Sequence, residues 1–283
     1  MRTWCAAISP MNKVSSARVL IGKEAGLFCP SSLVSAAGGK RLYIVDMGNK
    51  RILGADLTSK MVEEAGKPWP PFRTPLAAAM MRGNLLVTDA EANFIWAWNG
   101  NRWRRIPFAD TPLPVRLPGS VAGGDVGWIY FTDFHNNRIC RTDMMGNFTV
   151  LTQIRCEQPY GLCLWKDWLY VTDTGNGAIL RYHIPTNRCS LRYQGEKGKF
   201  HPLSLAADAE GGLYIGTNRR IFRLEAGGEE PVVLVDAGIW QTFGLHKLGH
   251  IGALAPLPGG NLLFSDTVKN CIYHLRLQRR EER

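Results

Sequence analysis

Three histidines of this chain are suited to chemistry together: His135, His201 and His250, the last two standing immediately before Pro202 and Ile251. Imidazoles from separate segments can hold zinc while leaving a coordination position open, the arrangement of a metal-assisted lyase or hydrolase. A second stretch, Trp96-Ala97-Trp98-Asn99-Gly100-Asn101-Arg102-Trp103-Arg104-Arg105, interleaves rings with cations, which can stack bases and neutralise phosphates. Strand alternation offers another account, preferred here, with the tryptophans packed inward and the arginines in water. The seven cysteines are scattered and form no C-x-x-C pair, so neither a zinc site nor a disulfide framework is expected. The sequence holds no G-x-S-x-G, Walker loop or H-E-x-x-H, so hydrolases of those kinds find no support.

One acidic residue recurs too regularly to be a lone catalyst. It ends the blocks Leu42-Tyr43-Ile44-Val45-Asp46, Leu85-Leu86-Val87-Thr88-Asp89, Ile129-Tyr130-Phe131-Thr132-Asp133, Leu169-Tyr170-Val171-Thr172-Asp173 and Leu262-Leu263-Phe264-Ser265-Asp266. In all five an isoleucine follows six residues after the Asp: Ile52, Ile95, Ile139, Ile179 and Ile272. Leu213-Tyr214-Ile215-Gly216-Thr217 is a sixth copy that has lost the Asp, with Ile221 only four residues on. A strand-ending Asp accepts hydrogen bonds from the backbone amides of the turn that follows, and a nearby Asn tolerates a left-handed conformation. Five copies are therefore read as a building rule rather than a site.

The blocks begin about 40 to 50 residues apart, the length of a four-stranded propeller blade. Ahead of each lies a Pro or Ile followed by small residues: Ser32, Ala77, Ser120, Gly161, Ser204 and Ala253 occupy the corresponding positions. These segments are the expected innermost strands, where blades crowd an axis. The fold is accordingly all-β, a six-bladed β-propeller of four-stranded antiparallel blades. The last copy has no outermost strand, and Ala17-Arg18-Val19-Leu20-Ile21-Gly22 has no blade, so this segment is expected to pair near Ile272 to Leu277 and close the ring. The domain reading is an N-terminal extension over 1–16, one propeller over 17–277 and a charged tail over 278–283.

The pattern of Tyr43 to Ile52 and Tyr170 to Ile179 resembles the NHL repeat family, and Ile129 to Ile139 is also similar to the YWTD repeats. The resemblance implies a six-bladed propeller and a choice of functions, since such propellers include binding modules, lactonases, lyases and receptors. Relatives among the amidating lyases hold zinc with histidines from different blades. Gluconolactonase-like propellers bind calcium or zinc through an inner-strand Glu with Asn and Asp from other blades, and no inner strand here carries a Glu. Some NHL propellers bind single-stranded RNA on one rim, and the net charge of +10 suits an anionic partner.

The loops leading into the inner strands share a rim with the turns after the second strands, which is where a ligand meets variable side chains. Trp69, His135, Gln158, Tyr160, His201, Trp240 and His250 are the expected ligand-binding residues. The insertion 236–250, with Ile239, Trp240, Phe243, Leu245 and Leu248, is expected to cover the axis, to contact a partner or to pack beneath its own loop. The expected function is a non-enzymatic binding scaffold for a protein or small ligand, with no cofactor. The alternatives are a metal-assisted lyase or hydrolase using zinc or calcium, and single-stranded nucleic-acid binding. No run of about eighteen apolar residues exists to span a bilayer. A cytoplasmic monomer is expected.

Overall fold

A computed structural model describes residues 11–279 except 109, 110, 112, 125 and 126. Six four-stranded antiparallel sheets follow one another along the chain. Blade 1 comprises Pro30–Ala36, Arg41–Asp46, Arg51–Asp56 and Val62–Glu64. Blade 2 comprises Pro75–Met81, Asn84–Asp89, Phe94–Trp98 and Trp103–Ile106. Blade 3 comprises Pro118–Gly123, Ile129–Asp133, Arg138–Thr142 and Phe148–Val150. Blade 4 comprises Pro159–Trp165, Trp168–Asp173, Ala178–His183 and Arg188–Gln194. Blade 5 comprises Ser204–Ala207, Leu213–Gly216, Ile221–Leu224 and Val232–Val235.

Blade 6 draws on both ends of the chain. Ile251–Leu257, Asn261–Asp266 and Cys271–Arg279 are completed by Met11–Ile21, which pairs with the last of them. Ala17 faces Leu275 and Ile21 faces Ile272, the closure expected from the missing outer strand. The closing strand begins at Met11, six residues ahead of the expected boundary at 17, and its partner runs on to Arg279. Without it, the hydrogen-bonding groups of Cys271–Arg279 would form an open edge.

Second strands lie between inner and third strands and have neighbouring blades against both faces, so they read as unbroken apolar runs; all of Ile129–Asp133 is buried. The Asp that ends this strand in every blade except blade 5 is also buried, and the structure shows why that is tolerated. The backbone amides that it accepts come mainly from the loop leading into the inner strand of the same blade rather than from the following turn. Asp46 accepts from the Phe28 amide at 2.7 Å, Asp133 from Arg116 at 2.8 Å, and Asp173 from Glu157 at 2.7 Å. The Asn three residues on donates to the same carboxylate from Asn49, Asn136 and Asn176. Arg51 and Arg138 add an ion pair at 2.7 Å each. Only Asp266 also takes the turn amides, those of Val268 and Lys269.

A second repeated device sits one residue earlier. The inner-strand ladder is interrupted by a bulge after Pro75, Pro118, Pro159 and Ile251. The amides released there bond to a hydroxyl: Ala77 to Thr88 at 3.0 Å, Ser120 to Thr132 at 2.8 Å, Gly161 to Thr172 at 2.7 Å and Ala253 to Ser265 at 3.0 Å. Blade 5 has Gly216 at this position, and its ladder runs without a bulge, Ser204 pairing directly with Gly216.

Candidate functional site

The inner strands surround an axial pocket of about 450 Å³ lined by corresponding residues of all six blades: Ser32, Ala77, Ser120, Gly161, Ser204 and Ala253. Its mouth lies on the rim where the loops leading into the inner strands meet the turns after the second strands. There Cys29, Met47, Leu76, Tyr160, Leu203, His250 and Thr267 contribute side chains. Among the described residues no Asp, Glu, Lys or Arg lines it. Within a chain of net charge +10 the pocket is therefore free of formal charge on its wall, provided its titratable groups are neutral.

They are held neutral. Burial, and then the Asp46 carboxylate, pushes the Cys29 thiol up. Burial does the same to the Tyr160 phenol, with the Cys29 sulfur adding to it. Burial pushes the His250 imidazole down; Asp266 opposes this and Arg219 reinforces it. Both ring nitrogens of His250 are engaged, Nε2 with Asn218 Oδ1 at 3.0 Å and Nδ1 with Thr267 Oγ1 at 3.3 Å. The neutral ring with its proton on Nε2 donates to the amide oxygen and accepts from the hydroxyl, satisfying both contacts. Tyr160 is positioned by edge-on contact with Phe134, ring centroids 5.9 Å apart.

Of the residues expected at the site, the structure brings Tyr160 and His250 to the pocket wall and places the others elsewhere. His135 is exposed beside Phe134, and His201 is exposed with Nε2 against the Gly198 carbonyl at 3.2 Å. Gln158 is exposed, its amide donating to Asn137 Oδ1 at 2.8 Å. Trp69 packs between blades 1 and 2 and donates to the Ala65 carbonyl at 2.7 Å. Trp240 is 1% exposed, packed against Phe264 and Tyr273, with its indole N–H bonded to the His246 carbonyl. The insertion therefore covers the flank of blades 5 and 6 rather than the axis, the packing alternative for this loop.

The aromatic stretch of blade 2 behaves likewise. Trp98 and Trp103 stack at 6.1 Å, Trp103 donates to the Gly66 carbonyl, and Trp96 joins them in the core between blades 1 and 2. Cys29, Met47, Leu76, Leu203 and Thr267 were not legible as site residues. The only available signal is positional, since each adjoins an inner strand or follows a strand-ending block.

The metal set of gluconolactonase-like propellers does not fit these walls. The inner positions are hydroxyl, methyl or hydrogen, and the ring of aspartates is already occupied by backbone amides and cations. Among the described residues no group of three or more His, Cys, Asp or Glu is placed to hold a metal, so His135, His201 and His250 do not converge.

Neither a protein-family model nor a curated protein matches the sequence. In structure the chain is similar to a gluconolactonase from Xanthomonas campestris, with TM-score 0.71, 13% identity, and 93% of this chain and 89% of that chain covered. A putative gluconolactonase gives TM-score 0.71 and 16% identity over 94% of this chain and 93% of its own. A streptogramin B lyase gives 0.67 and 18% over 93% and 88%. At such identities the likeness is one of fold, and the chain is a six-bladed β-propeller. No helix of the described residues is long and apolar enough to cross a membrane.

Proposed function

We propose that this propeller is a binding protein whose axial pocket takes a small, uncharged, mainly apolar ligand with one or two hydrogen-bonding groups. The carrying observation is the pocket itself: a six-fold wall of small and aliphatic side chains without formal charge, with Cys29, Tyr160 and His250 held neutral at its mouth. Apolar walls supply affinity, while a few polar groups fix orientation. Tyr160 and Thr267 are the hydroxyls placed to orient the ligand. The thiol of Cys29 is a poor nucleophile in this setting, because burial and Asp46 disfavour the thiolate on which its reactivity depends. His250 has both nitrogens committed, which further supports binding over catalysis.

The test is a thermal-shift screen of matched neutral, acidic and basic small molecules against the native protein and Ala77→Leu, which fills the pocket from its wall. Neutral compounds should raise the melting temperature of the native protein and lose that effect in the variant. Stabilisation confined to charged compounds, or unaffected by Ala77→Leu, would refute the reading.

A further inference from the structure

A second cavity, of about 290 Å³, lies where the ring closes, between blades 6 and 1 and on the face opposite the axial mouth. Its position follows from its lining: Gly38, Gly39 and Lys40 form the turn between the first two strands of blade 1, and Pro258 the corresponding turn of blade 6. Its floor is aliphatic, made by Leu20, Leu57, Leu257 and Leu263. Its wall carries Arg18, Lys40, His274 and Asn261, with no Asp or Glu among the described residues.

The strand register explains this convergence. Arg18 faces His274, and His274 faces Leu263, so these three share one face of blade 6. One row further, Arg276 faces Asn261 on the same side. Lys40 comes from blade 1 on a turn in which Gly38 and Gly39 adopt positive φ, bringing backbone to the cavity wall. A Cβ at Gly39 would meet the Pro258 ring at 2.9 Å, so the two turns fit only with glycine there.

Neither Arg18 nor Lys40 belongs to an ion pair among the described residues. Arg18 Nε donates to His274 Nδ1 at 3.3 Å, and His274 Nε2 meets Asn261 Oδ1 at 2.8 Å. Burial, followed by Arg18 and Arg276, pushes the His274 imidazole below its ordinary value.

We propose that this cavity is a binding site for an organic anion, a carboxylate carried on a short aliphatic chain. The carboxylate lies between the Arg18 guanidinium and the Lys40 ammonium, and the chain lies on the leucine floor. Such a ligand touches the amino-terminal strand, blade 6 and blade 1 together, so it fastens the ring at its seam. A species that binds the closed ring and not the unfolded chain raises stability by mass action. The site is independent of the axial pocket and of its proposed ligand.

The experiment is calorimetric titration of hexanoate, hexyl phosphate, hexanol and hexylamine into the full-length protein, with Arg18→Gln, Lys40→Gln, their combination, and Ala77→Leu. Hexanoate should bind and raise the melting temperature, more tightly than hexyl phosphate; hexanol and hexylamine should not. Each single glutamine substitution should weaken hexanoate about threefold and the pair about tenfold, the range of exposed charge contacts, while Ala77→Leu leaves it unchanged. By reciprocity hexanoate should raise the His274 pKa followed by NMR. No hexanoate binding, equal binding of hexanol, or binding unaffected by the paired substitution would overturn the proposal. Tighter binding of hexyl phosphate would overturn the assignment to carboxylates. Arg18 and Lys40 are exposed, and circular dichroism of all the variants separates lost binding from lost fold; the comparison of hexanoate with hexanol needs no variant at all.

Discussion

The hydroxyl of Ser204 lies against Gly216, where a side chain at 216 would have to sit. In blades 2, 3 and 4 the position of Gly216 is held by Thr88, Thr132 and Thr172, each catching an inner-strand amide. Blade 5 has lost the threonine, and Ser204 has turned into the vacated space, where its Oγ is buried with no hydrogen-bond partner among the described residues.

Restoring the threonine alone should therefore harm the protein. Gly216→Thr is expected to cost about 1–3 kcal/mol through overpacking against Ser204. In a Ser204→Gly background, which copies the Gly161 and Thr172 combination of blade 4, the cost should largely vanish. Urea unfolding of the four proteins measures the coupling; additive effects would show that the residues do not compete for one space.

The buried aspartates should behave as struts. Asp133 receives the Arg116 amide, the Asn136 side chain and the Arg138 guanidinium. Asp133→Asn leaves Arg138 without its counter-charge and sets an amide N–H among donors, at about 3 kcal/mol. Chemical denaturation should report that loss with axial-ligand affinity unchanged; an unaltered midpoint would contradict the role.

Acid should weaken the fold through two histidines. His250 and His274 have folded values below the unfolded value of about 6.5. The unfolded chain therefore binds more protons between the folded and unfolded values, and stability falls as pH drops below about 6.5. Their contribution is fully present above that pH. Unfolding midpoints from pH 7.5 to 5 should decline, and the decline should be shallower in His250→Gln and His274→Gln; identical slopes would exclude these residues as its source.

The seam should be as costly to damage as any core. Leu275 is fully buried opposite Ala17, and Leu275→Ala is expected to lose about 2–5 kcal/mol. Deleting residues 1–21 should leave the edge of Cys271–Arg279 open and drive self-association, visible by light scattering. A monomeric, cooperatively folding deletion variant would show that closure is dispensable.

Much of this architecture could be read before any coordinates. The six-residue spacing from Asp46 to Ile52 recurs in five blades because a buried carboxylate ends the second strand at the same place in each, and the missing outer strand of blade 6 called for Ala17 to Ile21. Small residues such as Ser32 and Ala77 marked the axis because crowding admits nothing larger. The site was legible only in part, since repeats report what blades share, whereas a pocket mouth consists of what they do not. Cys29 and Gln158 both precede a proline and both take a left-handed backbone, with φ of 55° and 50°, yet only Cys29 lines the pocket. Trp240 was open between lid and packing because it stands in an insertion that no other blade repeats; the apolar flanks of blades 5 and 6 decide for packing.

The pairing of Met11 with Arg279 places the first and last described residues side by side. A short peptide bridging them would make a circle of blades, and the chain could then be opened in the exposed connection at 152–153 between blades 3 and 4, giving a circular permutant with every sheet intact. In such a molecule blade 6 would come from one continuous stretch, and the order of blades along the gene would change while their order around the axis would not.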